Sequence, residues 1–221
     1  TDQPALYLKR AGPGKIIKKT TVLIEGLMFP EGPRWHDNKL YFSDMNVCKV
    51  MSVDLCGKLE TIVELPGPCS GIGWRPDGCL LIVSMLNRCL MSWDGNELSL
   101  VCNLHAMAAF HCNDMVVDSK GRAYIGNFGF DLSSGAPPKS AELIRVDPDG
   151  SATIAAQNMK FPNGSVITPD NKTFIVAETY GACLTAFDIK EDGTLENRRT
   201  WADLAGTAPD GICLDARNGI W

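Results

Sequence analysis

Residues 161–180 read Phe-Pro-Asn-Gly-Ser-Val-Ile-Thr-Pro-Asp-Asn-Lys-Thr-Phe-Ile-Val-Ala-Glu-Thr-Tyr. Two short β-branched, apolar runs flank the turn string Pro169-Asp170-Asn171. That is the pattern of two antiparallel strands joined by a tight loop. The unit recurs along the chain. Glu31-Gly-Pro-Arg-Trp35, Ser70-Gly-Ile-Gly-Trp74, Asn113-Asp-Met-Val-Val117 and Asp210-Gly-Ile-Cys-Leu214 align with Asn163-Gly-Ser-Val-Ile167, at successive spacings of 39, 43, 50 and 47 residues. Each is followed by a turn and a second apolar run, such as Lys39–Asp44, Cys79–Ser84, Arg122–Gly126 or Thr173–Ala177.

A period of about 40–50 residues with four short strands per unit predicts a β-propeller, because one four-stranded sheet cannot bury both faces and must stack on its neighbours. Third and fourth strands are expected at Val47–Val53 and Lys58–Leu65, Arg88–Trp93 and Glu97–Asn103, Glu142–Val146 and Ala152–Ala156, and Cys183–Ile189 and Leu195–Trp201. Only Asn103–Phe110 has a helical flavour, enough for one turn. Gly126–Ser140, rich in Gly, Ser and Pro, reads as a long inserted loop, of the kind that is functional or mobile. It leaves strand two of its unit, so it is expected at the same end of the propeller as Asn113. Thr21–Glu25 reads as a leading strand. The domain organisation expected is an N-terminal extension over 1–20 and an all-β propeller over 21–221. The chain breaks off within its fifth unit, and about 70–90 further residues at this period would complete six blades.

Composition narrows the function. With 221 residues, 45% hydrophobic and 21% charged, the chain is globular rather than disordered. No apolar run approaches the ~18 residues that cross a bilayer, so no membrane role is expected. A net charge of −5, with one small basic cluster at Lys15, Lys18 and Lys19, argues against nucleic acid as a partner. The nine cysteines show no C-x-x-C pair and the three histidines no ligand spacing, which argues against a structural or histidine-rich zinc centre. Scattered cysteines of this kind suit a reducing compartment, so a cytoplasmic location is expected.

The aligned repeats isolate one column: Glu31, Ser70, Asn113, Asn163 and Asp210. Each opens the innermost strand of its unit, so propeller geometry turns them into the central channel at one end. Glu, Asn and Asp converging there offer oxygen donors of the kind that Ca²⁺, Mg²⁺ or Mn²⁺ takes. Taken singly, Pro-Asn-Gly and Pro-Asp-Gly are ordinary turn strings. Their register is not ordinary, since Pro30, Pro162 and Pro209 each precede the polar residue at the same point of the repeat, whereas Asp77 falls between strands one and two.

The strings FPEGPRW from Phe29, CNDMVVD from Cys112, the segment 161–180 and APDGICLDARNGIW from Ala208 resemble the gluconolactonase, regucalcin and luciferin-regenerating enzyme family. The resemblance runs from about Val22 to Trp221 and implies a six-bladed propeller with one divalent metal ion, Ca, Mg, Mn or Zn, in its channel. It implies Glu31, Asn163 and Asp210 as metal ligands, Asp210 as the catalytic base, and Asn113 as a substrate contact. Regucalcin-like members carry an Arg two residues before that Asn; here the position is His111, which either binds substrate, assists proton transfer or lines the wall. The function implied is metal-dependent hydrolysis of a small-molecule substrate, a sugar lactone or related cyclic ester. A non-catalytic propeller binding a small ligand or calcium is the alternative. A Ser-His-Asp route has no support, since no G-x-S-x-G elbow occurs.

Overall fold

The computed structural model describes residues 21–221. The 1–20 extension and its lysines lie outside the described residues. The described residues form sixteen strands in four antiparallel four-stranded sheets, each made of consecutive strands. Blade 1 holds β1 (Pro30–His36), β2 (Lys39–Asp44), β3 (Lys49–Val53) and β4 (Leu59–Glu64). Blade 2 holds β5 (Cys69–Trp74), β6 (Leu80–Ser84), β7 (Cys89–Trp93) and β8 (Leu98–Asn103). Blade 3 holds β9 (Cys112–Val117), β10 (Ala123–Asn127), β11 (Ala141–Val146) and β12 (Ala152–Met159), and blade 4 holds β13 (Pro162–Ile167), β14 (Thr173–Glu178), β15 (Cys183–Ile189) and β16 (Leu195–Asp203). The expected six blades are thus seen as four. The fifth unit is reduced to one antiparallel bridge, Leu214 to Ile220, because its twelve residues, Asp210–Trp221, supply no outer strands to pair with.

The first strand of each blade is innermost, and β1, β5, β9 and β13 contact one another in that order. The core lies between blades. Val50, Ile72, Leu80 and Ile82 fill the space between blades 1 and 2, and Leu81, Met115, Ile125 and Ile144 that between blades 2 and 3. Tyr124, Leu143, Phe174 and Phe187 fill the space between blades 3 and 4. Val166, Ile175 and Ala186 pack towards Ile212, Leu214 and Ile220 of the fifth unit. Blade 2 buries one face against blade 1 and the other against blade 3, which accounts for the fully buried run Leu80–Ser84.

The turns behave as their residues dictate. Asp37 and Asn38 both take positive φ, 45° and 61°, as the tightest hairpins require. Asp54, Asp77, Asp118, Asp149, Asp170, Asp192 and Asp215 each accept a backbone N–H two residues on, which closes the loop with a side chain. Two expectations need correction. Thr21–Glu25 forms no strand: no ladder partner is present among the described residues, and Val22 stays exposed. The strand expected from Val47 starts at Lys49, since Met45–Val47 is a 3-10 turn ending at left-handed Cys48. The helical turn expected near Asn103–Phe110 is one turn, with the N–H groups of Met107 and Ala108 both on the Leu104 carbonyl.

Candidate active site

Every first strand carries a register shift at its first or second residue: Glu31 to Arg34, Cys69 to Ile72, Cys112 to Met115 and Pro162 to Ser165. A bulge bends a strand and re-aims the side chain beside it. Here it falls at the aligned column, enclosing Ser70, Asn113 and Asn163 and directly following Glu31. Glu31, Ser70, Asn113, Asn163 and Asp210 all line one cavity of about 440 Å³. Glycine next in sequence lets the inner strands close up. A Cβ on Gly71 would stand 2.4 Å from the Met115 nitrogen, and one on Gly164 2.5 Å from that of Ile212. In the third unit Asp114 takes that place, and its carboxylate accepts from the Met115 N–H and from Arg34, both at 2.8 Å.

The floor is crowded with oxygen. Burial pushes the Glu31 carboxyl above its ordinary range, and the charges of Asp210 and Asp114 push it further the same way. Glu31 therefore lies within electrostatic reach of both Asp210 and Asp114. Asn163 is buried, and its amide direction follows from its partners. Thr179 Oγ donates to the Pro209 carbonyl at 2.8 Å, and a carbonyl can only accept. That hydroxyl must then accept from Asn163, at 3.1 Å, so the contacting atom is the amide nitrogen. Asn163 Oδ1 is left for the cavity. Asn113 Nδ2 is buried with no partner among the described residues, a donor waiting for an acceptor.

His111 stands apart from this floor. It is half-buried, stacks on Phe110 at 4.0 Å and tilts against Phe128, which does line the cavity. Burial lowers its pKa, with Arg88 adding to that effect and Asp131 opposing it. The inserted loop begins later than its composition indicates, because Gly126 and Asn127 belong to β10. Phe128 and Leu132 of the loop reach the cavity, and Phe130 anchors it edge-on against Tyr180 of blade 4. It therefore lies at the Asn113 end.

A second column escapes a reading based on the first. Asp44, Ser84, Asn127 and Glu178, all buried, end the second strand of each blade. Asp44 accepts the N–H groups of Met28 and Phe29 at 2.9 and 2.8 Å. Glu178 accepts the Lys160 N–H at 2.6 Å, and the Thr185 hydroxyl and Arg198 on its other oxygen. These residues tie down the segments that lead into β1 and β13, and so set where Glu31 and Asn163 begin. Their signal in the sequence is a polar residue closing an otherwise apolar strand.

The geometry has counterparts. A family model described as the SMP-30/Gluconolactonase/LRE-like region matches residues 29–221. The pentonolactonase XacC of Haloferax volcanii is 26% identical over 208 residues, 91% of this chain and 68% of that protein. Human regucalcin is 27% identical over 214 residues, covering 93% of this chain and 71% of its own length. Among solved structures, a gluconolactonase from Xanthomonas campestris superposes with a TM-score of 0.76 at 25% identity, covering 90% of this chain and 71% of that one.

Proposed function

The chain belongs to the SMP-30/Gluconolactonase/LRE-like family, and on that premise we propose that it is a divalent-metal-dependent lactonase, opening a small sugar lactone or related cyclic ester. The observation that carries the reading is the convergence of Glu31, Asn113, Asn163 and Asp210 on one cavity floor. The donor set fits a hard cation. Glu31 and Asp210 supply charge that nothing else on the floor neutralises, and the Thr179 relay turns a neutral oxygen of Asn163 the same way. Glu31, Asn163 and Asp210 would hold Ca, Mg, Mn or Zn, and a cation there supplies Lewis-acid polarisation of a carbonyl and a lowered pKa for water.

The protein groups do the rest. Asn113 Nδ2 donates to the substrate oxygen and orients it. Asp210 takes a proton from the attacking water, whose oxygen bonds to the carbonyl carbon. The ring C–O bond then breaks with its electron pair on the ring oxygen, which receives the proton, and an open-chain hydroxy acid leaves. His111 contributes through the wall, by fixing Phe128, or by reaching the substrate's outer edge. Blade count and location belong to the same reading: a six-bladed whole is consistent with the 71% share of human regucalcin that this chain covers, and nine free cysteines suit a reducing compartment.

The test is a lactone screen with and without chelator, followed by two variants compared at saturating metal. Both Asp210→Asn and Glu31→Gln weaken metal binding. Only the first also removes a base, so at saturation it is the slower by ~10²–10⁴-fold. Equal rates at saturation make both residues ligands only and leave the base elsewhere. Hydrolysis unaffected by chelator overturns the metal-dependent reading.

A further inference from the structure

The cavity has two chemistries, and the division points to its substrate. Above the oxygen-lined floor the wall is apolar: Phe29, Met85, Leu86, Phe128, Leu132 and Phe161. Among the described residues no Lys, Arg or His lines it, and Asn46 is the one polar side chain outside the floor. Phe128 and Phe161 stack with ring centroids 4.5 Å apart, so one face of the wall is a continuous aromatic surface. Single exposed apolar side chains are ordinary on any protein. Here Phe29, Leu86 and Leu132, exposed at 46, 49 and 44%, come from three different blades and converge on one rim. Phe29 is held there by the Asp44 carboxylate on its N–H, and the Leu132 loop is anchored through Phe130 on Tyr180. The rim is therefore built rather than incidental.

A polyhydroxylated lactone would set most of its ring hydroxyls against this wall, where they lose water and find only the Asn46 amide as a partner. An alkyl or aryl substituent gains in the same place by leaving water. The geometry points to a lactone or cyclic ester bearing an apolar substituent as the substrate, with its carbonyl on the Glu31–Asn163–Asp210 floor and the substituent between Leu86, Leu132 and the Phe128–Phe161 pair. The volume of about 440 Å³ accommodates such a molecule and lies within the range of small-molecule sites. This inference rests on the lactonase reading above for the fate of the ring, but not for the chemistry of the wall.

The experiment uses the full chain loaded with metal and a series of γ-lactones carrying ethyl, butyl and hexyl chains, beside a pentonolactone and δ-gluconolactone. The expected result is that kcat/KM rises about threefold to fourfold per methylene until the wall is covered, and that the hexyl lactone exceeds both sugar lactones at least about tenfold. Leu132→Asp and Leu86→Asp, at exposed positions, should flatten the chain-length dependence while leaving the folded protein's thermal midpoint in place. Sugar lactones hydrolysed faster than alkyl lactones, or no dependence on chain length, overturn this inference and leave the lactonase reading standing. If no lactone is opened, that reading fails, and the wall is then tested with the matching unreactive alkyl lactams by calorimetry. Affinity that climbs with chain length, and falls in Leu132→Asp, upholds an apolar ligand; no binding overturns it.

Discussion

At the scale of single residues, the cavity floor depends on one hydroxyl that does not line the cavity itself. Thr179 links the Pro209 carbonyl to the Asn163 amide and thereby decides which end of that amide faces the cavity. Thr179→Val keeps the shape and removes the relay, leaving Asn163 free to turn its nitrogen inward. We expect divalent-cation affinity, measured by calorimetry, to fall about tenfold or more, the scale found when a group that orients a metal ligand is lost. Thr179→Ser should restore it. Equal weakening in both variants would mean that Thr179 acts through packing alone. The cavity-lining column was open to sequence reading because four motifs share a register. Thr179 was not, because its role is visible only once Pro209 and Asn163, 46 residues apart in the chain, are seen across one hydroxyl.

At the scale of elements, the strands follow their apolar runs closely and the bulges do not. Apolar, β-branched runs mark β13 and β14 on either side of Pro169-Asp170-Asn171. Nothing in that pattern marks the register shift that follows Glu31, Cys69, Cys112 and Pro162, because a bulge changes pairing without changing composition. Thr21–Glu25 shows the converse, a β-prone segment without a partner strand among the described residues. The glycines next to the bulges report the close approach that the bulges allow. Gly71→Ala would place a methyl 2.4 Å from the Met115 nitrogen, where only backbone can give way. We expect a loss of at least about 1–3 kcal/mol, the usual cost of overpacking, read as a lower denaturant midpoint at unchanged slope. Gly78→Ala, with open space around the Cβ, pays only for its positive φ and serves as the comparison. For the loop over 128–140, replacement by a short Gly-Ser turn should alter the order of preference among lactones more than it alters thermal stability. An unchanged substrate profile would show that Phe128 and Leu132 do not shape the cavity.

At the scale of the whole molecule, the floor joins parts of the chain that are distant in sequence. Glu31 belongs to blade 1, Asn163 to blade 4 and Asp210 to the fifth unit. Without a cation the charges of Asp210 and Asp114 on Glu31 oppose that meeting, and a bound cation would offset them. The sign with pH follows from Glu31. Burial and the charges of Asp210 and Asp114 raise its folded pKa above the 4.5 of an ordinary glutamate. The folded state then binds that proton more tightly than the unfolded chain, so Glu31's contribution is most favourable below about 4.5 and is lost as pH rises through the raised value. Glutamine carries no charge at any pH. In chelator near neutral pH, Glu31→Gln should therefore melt above the parent, and the gap should close as the pH falls towards 4.5. Exposed carboxylates held low by their partners, such as Asp131 and Asp149, weaken both proteins together in acid and cancel in the difference. Adding a divalent cation at neutral pH reverses the order. The parent gains by binding, about 2.7 kcal/mol at a hundred times Kd, while the variant, short of one anionic ligand, gains less. Thermal midpoints of the two proteins across pH, with chelator and with metal, measure all of this in one series. A variant that melts below the parent in chelator at neutral pH would mean that Glu31 is neutralised within the protein, and that the floor has no charge for a cation to relieve.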